Sequence, residues 1–408
     1  MLQWTTADQL QAQARYSPGP FLRAGAVSSV LCLVLAVASH WSADPLLAPV
    51  LFLIWACAPL VAWLSSRVPH ANETAHPVTE DERDYLNTLA RDTWRFFERV
   101  VGPEDNHLPP DNLQLEPQPT IAHRTSPTNI GVYLLAIGCA REFGWIDSPA
   151  LAQRLTATLD AIDKLEKHQG HLYNWYDTRD LRPLDPKYVS TVDSGNLAGH
   201  LIAIANACRE WQGRPVVASC CLAGIADAIA LTCEAVGQLR DERRPQTEAW
   251  RQLDGALAEL ASTVRQPAMD RDDLVQRLAG LAGQADTMAG IARTLATEAG
   301  SGADLLFWAQ ASLSSIEAHL RDLRLATDET ALQEARLSVL EGTARSMALT
   351  MEFGFLLDPE RKLLSIGYRV PEGTLDPSCY DLLASEARLA SFIAIAKGDV
   401  PARHWFRL

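Results

Sequence analysis

HLYNWYDT, residues 171–178, and YVSTVDSGN, residues 188–196, form the most informative stretch of this chain. Aromatic rings, amides and carboxylates alternate here, directly before helical periodicity that runs from Thr191 to Glu210. A sugar requires this mixture, because apolar faces stack on its ring while fixed donors and acceptors bind its hydroxyl groups. The core of a soluble protein would not collect so many polar groups, since each buried one needs a partner. The stretch therefore predicts a carbohydrate-binding loop that leads into a helix.

The surrounding segments predict helices and no convincing run of strands. Apolar residues recur at helical spacing in 79–101, 127–142 and 148–170, and Pro residues or capping residues open these segments. A long Pro-rich loop, 102–127, separates the first two helices, and long loops in compact domains are often functional. Because each helix carries one apolar stripe, the sequence predicts stacked helix pairs in a layered or toroidal all-α domain.

The second half of the chain changes character twice. Residues 215–350 are rich in Ala, Leu, Gln, Arg and Glu and poor in aromatic residues, which predicts a long helical arm inserted into the α/α domain begun by 79–214. Residues 351–408 are expected to continue that domain, with a hairpin at 355–366 and a helix at 378–397. Two rings and two cations directly before Leu408 predict that the domain is truncated there.

Two uncharged apolar runs, 24–39 and 46–64, lie near the start of the chain. Each approaches the roughly 20 residues that span a bilayer, so a transmembrane hairpin is predicted over 21–66. Cations flank the pair and the short link has none, which predicts a cytoplasmic N-terminal segment (1–20), a linker (67–78) and a cytoplasmic soluble domain at the bacterial inner membrane. The alternative is a signal peptide followed by a core helix.

Composition excludes several classes of function. The net charge of −14 and pI near 5.2 argue against a nucleic-acid-binding protein, which needs a basic face. The eight cysteines form no CxxC pair and are interpreted as free thiols. The chain has no Gly-rich phosphate loop, no HExxH motif and no His spacing typical of metal ligands, so neither a metal nor a cofactor is predicted.

Glycosyl transfer needs one carboxylic acid to protonate the leaving oxygen and a second carboxylate as nucleophile or base. Glu386 is the best candidate for the acid, because it lies among small residues close to Tyr380 and Asp381. The alternative is a surface carboxylate that pairs with Arg388 or caps a helix. Asp193 is the second candidate, and its alternative role is helix capping together with the neighbouring hydroxyl residues.

Further side chains are predicted to bind the sugar by stacking or by hydrogen bonds. The alternative is that the aromatic members belong to the core. The predicted substrate-binding residues, besides Asp193, are Tyr173, Asn174, Trp175, Tyr176, Asp177, Asn129, Tyr380 and Asp381.

Three long runs closely resemble the central region of bacterial cyclic β-1,2-glucan synthases. They are HLYNWYDTRDLRPLDPKYVSTVDSGNLAGHL from His171, TSPTNIGVYLLA from Thr125, and IGYRVPEGTLDPSCYDLLASEARLASFIAIAKGDVPARHWFRL from Ile366. The resemblance covers the apolar hairpin and everything after it, and it is weakest in the Ala/Leu-rich arm. The region is similar to the glycoamylase-like transglycosylase domain of the synthase, assigned to glycoside hydrolase family 189, and to the β-1,2-glucanases of families 144 and 162.

The resemblance implies a partial (α/α)6 toroid and a retaining transglycosylation. In that reaction a linear β-1,2-glucan is cut and its far end closes a ring on the glycosyl-enzyme. Glu386 matches a catalytic Glu of the family, expected to be the acid/base; the other essential Glu is expected beyond Leu408, and Asp193 is expected to orient the sugar. The chain is then expected to be inactive or weak alone.

The implied partners are linear β-1,2-glucan, inner-membrane lipid, and the upstream glycosyltransferase and downstream phosphorylase-like domains of the synthase, neither of which this chain resembles. The alternatives are a membrane-anchored β-1,2-glucan-binding scaffold without catalysis and a helical membrane-signalling protein.

Overall fold

The computed structural model describes residues 19–39, 47–65, 78–214, 217–239, 247–299 and 302–408. The chain divides into two compact units, 1–80 and 81–408. Within the described residues, helices dominate both units, as predicted for an all-α fold.

The first unit contains a pair of packed apolar segments. Helix α1 (Gly19–Ser39) packs against α2 (Leu47–Ala56) and α3 (Ala58–Ser65), and the Ser29 hydroxyl donates to the Ala56 carbonyl at 3.0 Å. Their outer surface exposes many large apolar side chains, which is unusual for a water-soluble surface. These are Val27, Val30, Leu31, Val34, Val37, Ile54, Trp55 and Val61, among others.

Helix length gives the predicted transmembrane hairpin little support. Among the described residues, one helix is long and apolar enough for a candidate span: Ala218–Leu239, with 22 residues. An 18-residue window of it has a mean hydropathy of 1.6, and 56% of that window is buried inside the protein. In α1 the apolar part is the shorter Gly25–Leu35, and the second run is divided between α2 and α3. The two-span topology is therefore not supported, and the predicted segments 1–20 and 67–78 lie largely outside the described residues.

The second unit is a set of ten helices among the described residues, joined by short two- and three-residue strands. The helices are α4 (Glu80–Val100), α5 (Pro127–Glu142), α6 (Ser148–Lys164), α7 (Thr191–Trp211), α8 (Ala218–Leu239), α9 (Glu248–Val264), α10 (Arg271–Ala299), α11 (Ala303–Leu323), α12 (Thr327–Thr350) and α13 (Arg388–Lys397). The strands are β1 (Leu113–Gln114), β2 (Thr120–Ile121), β3 (Arg124–Thr125), β4 (Lys167–His168), β5 (His171–Leu172), β6 (Tyr176–Asp177), β7 (Tyr188–Ser190), β8 (Gly367–Arg369) and β9 (Thr374–Leu375). Single 3₁₀ turns lie at Pro103–Asp105, Gly354–Leu356 and Ala402–Arg407.

The first hydrophobic core lies between α4, α5, α6, α7, α12 and α13. Helices α5 and α7 run in the same direction. Thr128, at the start of α5, bonds Asp193 at the start of α7, and Gly131, further along α5, packs on His200, further along α7. Both helices therefore place their N-termini at the same end. Ser126 and Ser190 cap these N-termini by accepting from backbone N–H groups three residues further along the chain.

A second hydrophobic core fills the space between α8, α9, α10 and α11. Leu253, Leu257, Leu260 and Val264 lie at helical spacing on α9 and are all buried in it. The predicted arm, 215–350, thus contains a core of its own for most of its length. Its last helix, α12, packs differently and contributes Leu337, Leu340, Ala344 and Ala348 to the first core. By its packing, α12 therefore belongs with the α/α domain and not with the predicted insertion.

A buried cation joins the two cores. Arg91 on α4 lies 5.0 Å from the Trp308 ring centroid and 5.9 Å from that of Trp145, and it forms an ion pair with Glu98 at 2.8 Å. Beside it, the Trp145 indole N–H donates to Asp227 at 2.8 Å. Each of these groups has a partner, as burial of charge requires.

The predicted helix at 378–397 begins ten residues later than expected. Backbone groups that a helix would need are already engaged: Ile366 N donates to the Ser378 carbonyl at 2.9 Å and Tyr380 N donates to the Leu364 carbonyl at 3.0 Å. Helix α13 therefore starts only at Arg388, and Glu386 lies in the turn before it. The expected hairpin at 355–366 is reduced to one bridge between Leu357 and Leu364.

Helices α7 and α13 approach very closely at Gly195. A Cβ atom there would lie 2.5 Å from the Ala390 Cβ and 2.6 Å from the Ala390 backbone N. Real Cβ atoms do not tolerate such distances to backbone, so the glycine permits this packing.

We expect Gly195→Ala to destabilise the second unit. The added methyl group pushes α13 away from α7, and overpacking of this kind costs about 1–3 kcal/mol. The free energy of unfolding from urea titration, followed by tryptophan fluorescence, measures the loss. Gly237→Ala on α8 is the matched control, because its Cβ meets nothing within 4 Å; it should gain about 0.5–1 kcal/mol. Equal effects of the two changes would contradict the close packing.

We also expect the stability of this unit to depend on Asp227. Burial raises the pKa of its carboxyl to about 6, above the usual 3.8. The folded state then keeps this proton while the unfolded state loses it, so the free energy of unfolding falls as pH rises from about 4 to about 6. Asp227→Asn retains an acceptor for Trp145 and should flatten this part of the pH–stability curve, by up to ~1.4 kcal/mol per pH unit for one proton. An unchanged slope in the variant would rule out this assignment.

Candidate functional site

The N-terminus of α7 is tied to a segment far along the chain. The Thr191 hydroxyl, fully buried, donates to the Ser365 carbonyl at 2.7 Å, and Thr191 N donates to the Ile366 carbonyl at 3.1 Å. Just before it, β7 pairs antiparallel with β8, and β8 with β9. These contacts place the segment that leads to Tyr380 beside the start of α7.

Asp193 lies in the first turn of α7, half-buried, and faces α5. Its Oδ1 accepts from the Thr128 hydroxyl at 2.6 Å, and the Asn196 amide donates to the same Thr128 oxygen at 3.2 Å. The backbone N–H of Asp193 donates to Ser190 Oγ at 3.3 Å. The capping residue is therefore Ser190, which leaves the Asp193 carboxylate to bridge two helices.

Asn174 and Trp175 join this carboxylate from the aromatic loop. Asn174 N donates to the Tyr188 carbonyl at 2.7 Å, which holds the loop against β7. With the Asn174 amide oriented to satisfy both neighbours, its nitrogen lies 3.2 Å from Asp193 Oδ2 and its oxygen 3.2 Å from the Trp175 indole nitrogen. The loop thus presents a half-exposed indole next to Asp193.

Helix packing places the turn with Glu386 near the start of α7, because Gly195 on α7 lies against Ala390, four residues after Glu386. Partial burial raises the pKa of the Tyr380 hydroxyl, and the negative charges of Glu386 and Asp193 raise it further. The two carboxylates come from distant parts of the sequence. Glu386 itself is exposed, and Asp381 is exposed beside this group.

Tyr173 and Tyr176 are buried in the first hydrophobic core. They are 3% and 0% exposed, the Tyr176 hydroxyl donates to the Glu166 carbonyl at 2.6 Å, and that of Tyr173 donates to the Glu166 carboxylate at 3.2 Å. Burial also raises the pKa of both phenols. The sequence predicts that Tyr173 stacks on a sugar and that Tyr176 binds its hydroxyls; the structure instead places both rings in the first hydrophobic core, which is the alternative that the sequence left open.

The other predicted residues have mixed positions. Asp177 stabilises a turn, because its Oδ1 accepts from Arg179 N at 2.8 Å. Asn129 is adjacent to Thr128 on α5 and is half-buried, with its side-chain nitrogen lacking a hydrogen-bond partner. Asn129 therefore lies at the same end of the helices as Asp193, whereas Asp177 stabilises a turn of the aromatic loop.

Buried polar atoms without partners occur around this end of the helices. Such atoms are uncommon in folded proteins and call for an explanation. Those near the site are Thr125 Oγ1, Asn129 Nδ2, Ser194 Oγ, and Arg388 Nε and Nη1. The Arg388 guanidinium does not form an ion pair with Glu386; its Nη2 donates to the Tyr380 carbonyl at 3.4 Å.

Sequence reasoning missed Thr128, Asn196 and Arg124 as parts of the site. The sequence pattern could have indicated Asn196, because it lies three residues after Asp193 and therefore on the same face of the helix. No sequence pattern indicates Thr128 or Arg124, because only tertiary packing brings Thr128 to α7 and Arg124 to Trp175. In the part of the chain that the structure describes, no group of three or more His, Cys, Asp and Glu side chains is placed to hold a metal ion.

Comparison with known proteins gives two matches. Residues 88–201 match a family described as a protein of unknown function, DUF3131. This range includes Trp175 and Asp193 but not Glu386. The cyclic β-(1,2)-glucan synthase NdvB of Rhizobium meliloti (strain 1021) is 43% identical over 413 aligned positions.

That alignment covers 100% of this chain and 14% of the synthase, so the chain spans about one seventh of its relative's length. The resemblance predicted from the three runs is confirmed over all of them: along its whole length, this chain is homologous to one segment of a cyclic β-(1,2)-glucan synthase.

Proposed function

We propose that this chain is the part of a cyclic β-1,2-glucan synthase that binds linear β-1,2-glucan and cyclises it. The proposal is supported by the homologous synthase, whose name states its product. The observation that carries it is the packing at the start of α7: Thr191 bonds the Ser365 carbonyl, and Gly195 lies against Ala390, so the segments with Tyr380 and Glu386 meet the helix that carries Asp193. A surface that combines carboxylates, a phenol and an indole suits a neutral polyhydroxylated ligand.

The proposed binding surface consists of Trp175, Asn174, Asp193 and Tyr380, with Asn129 and Asp381 at its margin. Trp175 offers a flat apolar face, and the amide and carboxylates offer donors and acceptors for ring hydroxyls. Tyr173, Tyr176 and Asp177 support this surface from within the loop.

The proposed reaction is a retaining transglycosylation. Glu386 donates its proton to the leaving glycosidic oxygen while a second carboxylate attacks the anomeric carbon and forms a glycosyl-enzyme. Glu386, now ionised, accepts the proton of the attacking hydroxyl at the other end of the same glucan, and the ring closes. We propose that the second carboxylate lies in another segment of the synthase, in the remainder of an (α/α)6 toroid to which α5, α6, α7 and α12 belong.

The remaining assignments concern the cell. We propose that the exposed apolar surface of α1–α3 associates with inner-membrane lipid, and that the soluble unit works in the cytoplasm beside glycosyltransferase and phosphorylase-like domains of the same synthase. One observation favours the scaffold alternative instead: Glu386 is exposed, whereas a general acid usually needs an environment that disfavours its charge.

Binding is tested first with linear β-1,2-gluco-oligosaccharides and calorimetry on the full chain. We expect Asp193→Asn to weaken binding about 10-fold or more, because hydrogen bonds to a charged group contribute roughly 1.5–3 kcal/mol. Asp163→Asn, an exposed carboxylate on α6, is the control and should leave affinity unchanged. Equal affinity of wild type and Asp193→Asn would remove Asp193 from the binding surface.

Catalysis is tested in a full-length synthase that carries this segment. We expect Glu386→Gln to abolish cyclic products, by at least about 100-fold, while glucan binding persists, because glutamine keeps the shape but cannot transfer the proton. Glu372→Gln, an exposed residue between β8 and β9, is the matched control. Unchanged ring formation in Glu386→Gln would favour the scaffold over the enzyme.

A further inference from the structure

The Trp175 indole is covered on one face by Arg124. The Arg124 guanidinium carbon lies 5.0 Å from the centroid of the ring, within the range of a cation–π interaction. The polar edge of the ring is fixed as well, since the indole N–H faces the Asn174 amide oxygen at 3.2 Å. The Trp175 carbonyl accepts from Leu184 N at 2.8 Å, which also anchors its backbone.

Arg124 is itself held in place from two sides. Its Nε and Nη2 donate to the same oxygen of Asp111 at 3.1 and 2.8 Å, and the Asp111 N–H donates to the Arg124 carbonyl at 2.7 Å. Its backbone belongs to β3, in register with Asp177 of β6. The guanidinium therefore has little freedom to leave the ring, although the side chain is 52% exposed.

These restraints make Trp175 a one-sided platform. The ring is partly exposed and Arg124 occupies one face, so a sugar that stacks on Trp175 would use the opposite face. The polar edge points to Asn174, which in turn contacts Asp193. A sugar stacked there would have its hydroxyls close to the Asp193 carboxylate.

We propose that Arg124 is a positioning residue for glucan binding: it does not touch the sugar, but fixes the plane of Trp175 so that one glucose ring stacks beside Asp193. The inference rests on the proposed function. Its physical basis is preorganisation, because a side chain already held in its bound rotamer loses less entropy when the ligand arrives.

A double-mutant cycle on the full chain tests this assignment, with affinity for a linear β-1,2-gluco-oligosaccharide measured by calorimetry. We expect Arg124→Ala to weaken binding about 3- to 10-fold, a range typical of losing one cation–π contact and the order it imposes. In a Trp175→Ala background the same change should have no effect, because Arg124 acts only through the ring. Arg124→Lys keeps a cation and should restore part of the affinity.

Arg182→Ala is the control, since this exposed residue pairs with Asp180 on the same loop; it should match wild type. Melting temperatures within ~2 °C of wild type establish that every variant is folded. A loss of equal size with and without Trp175 would show that Arg124 contacts the sugar directly, which overturns the inference. Wild-type affinity in Arg124→Ala also overturns it, while leaving the proposed function intact. If wild type does not bind the oligosaccharide, both are overturned.

Discussion

The pairing of β7 with β8 is the interaction on which the candidate site depends. It joins Tyr188–Ser190 to Gly367–Arg369, on either side of the helices that form the second core. The buried hydrogen bond from Thr191 to the Ser365 carbonyl extends this pairing into α7, and an unpaired carbonyl there would cost about 1–3 kcal/mol. Because α7 begins at the residue after β7, the pairing sets the position of Asp193 relative to Tyr380.

The long helical segment between β7 and β8 is compatible with their pairing, because the chain comes back to β7 at the end of that segment. Closing a longer loop costs little additional entropy, and α8–α11 bury their own apolar faces in a separate core. Helix α12 then leads back into the first core, where Arg345 donates to the Asn206 side-chain oxygen at 2.9 Å on α7. The Arg91 cluster with Trp145 and Trp308 fastens the second core to the first at another point.

Local sequence patterns predicted the helices well where local physics decides. Pro127 and Ser148–Pro149 open α5 and α6 as expected, because Pro at the start of a helix loses no hydrogen bond. The same patterns placed the helix before Glu386 wrongly, since the backbone of Ser378–Tyr380 pairs with residues near Leu364 that no local pattern reveals. Tyr173 and Tyr176 show the same limit: alternating rings look alike in sequence whether they line a cleft or fill a core.

By itself the sequence determined the all-α class, the separation of an apolar N-terminal region from the rest of the chain, and the relationship to a cyclic β-(1,2)-glucan synthase. These follow from periodicity, composition and long matching runs, which are properties of neighbouring residues. Only the tertiary structure decided that Ser190 rather than Asp193 caps α7, that Thr128 and Asn174 hold the Asp193 carboxylate, and that α13, which follows Glu386, packs on α7 at Gly195. Those contacts join residues distant in the chain, and packing and strand pairing, not local propensity, determine which of them meet.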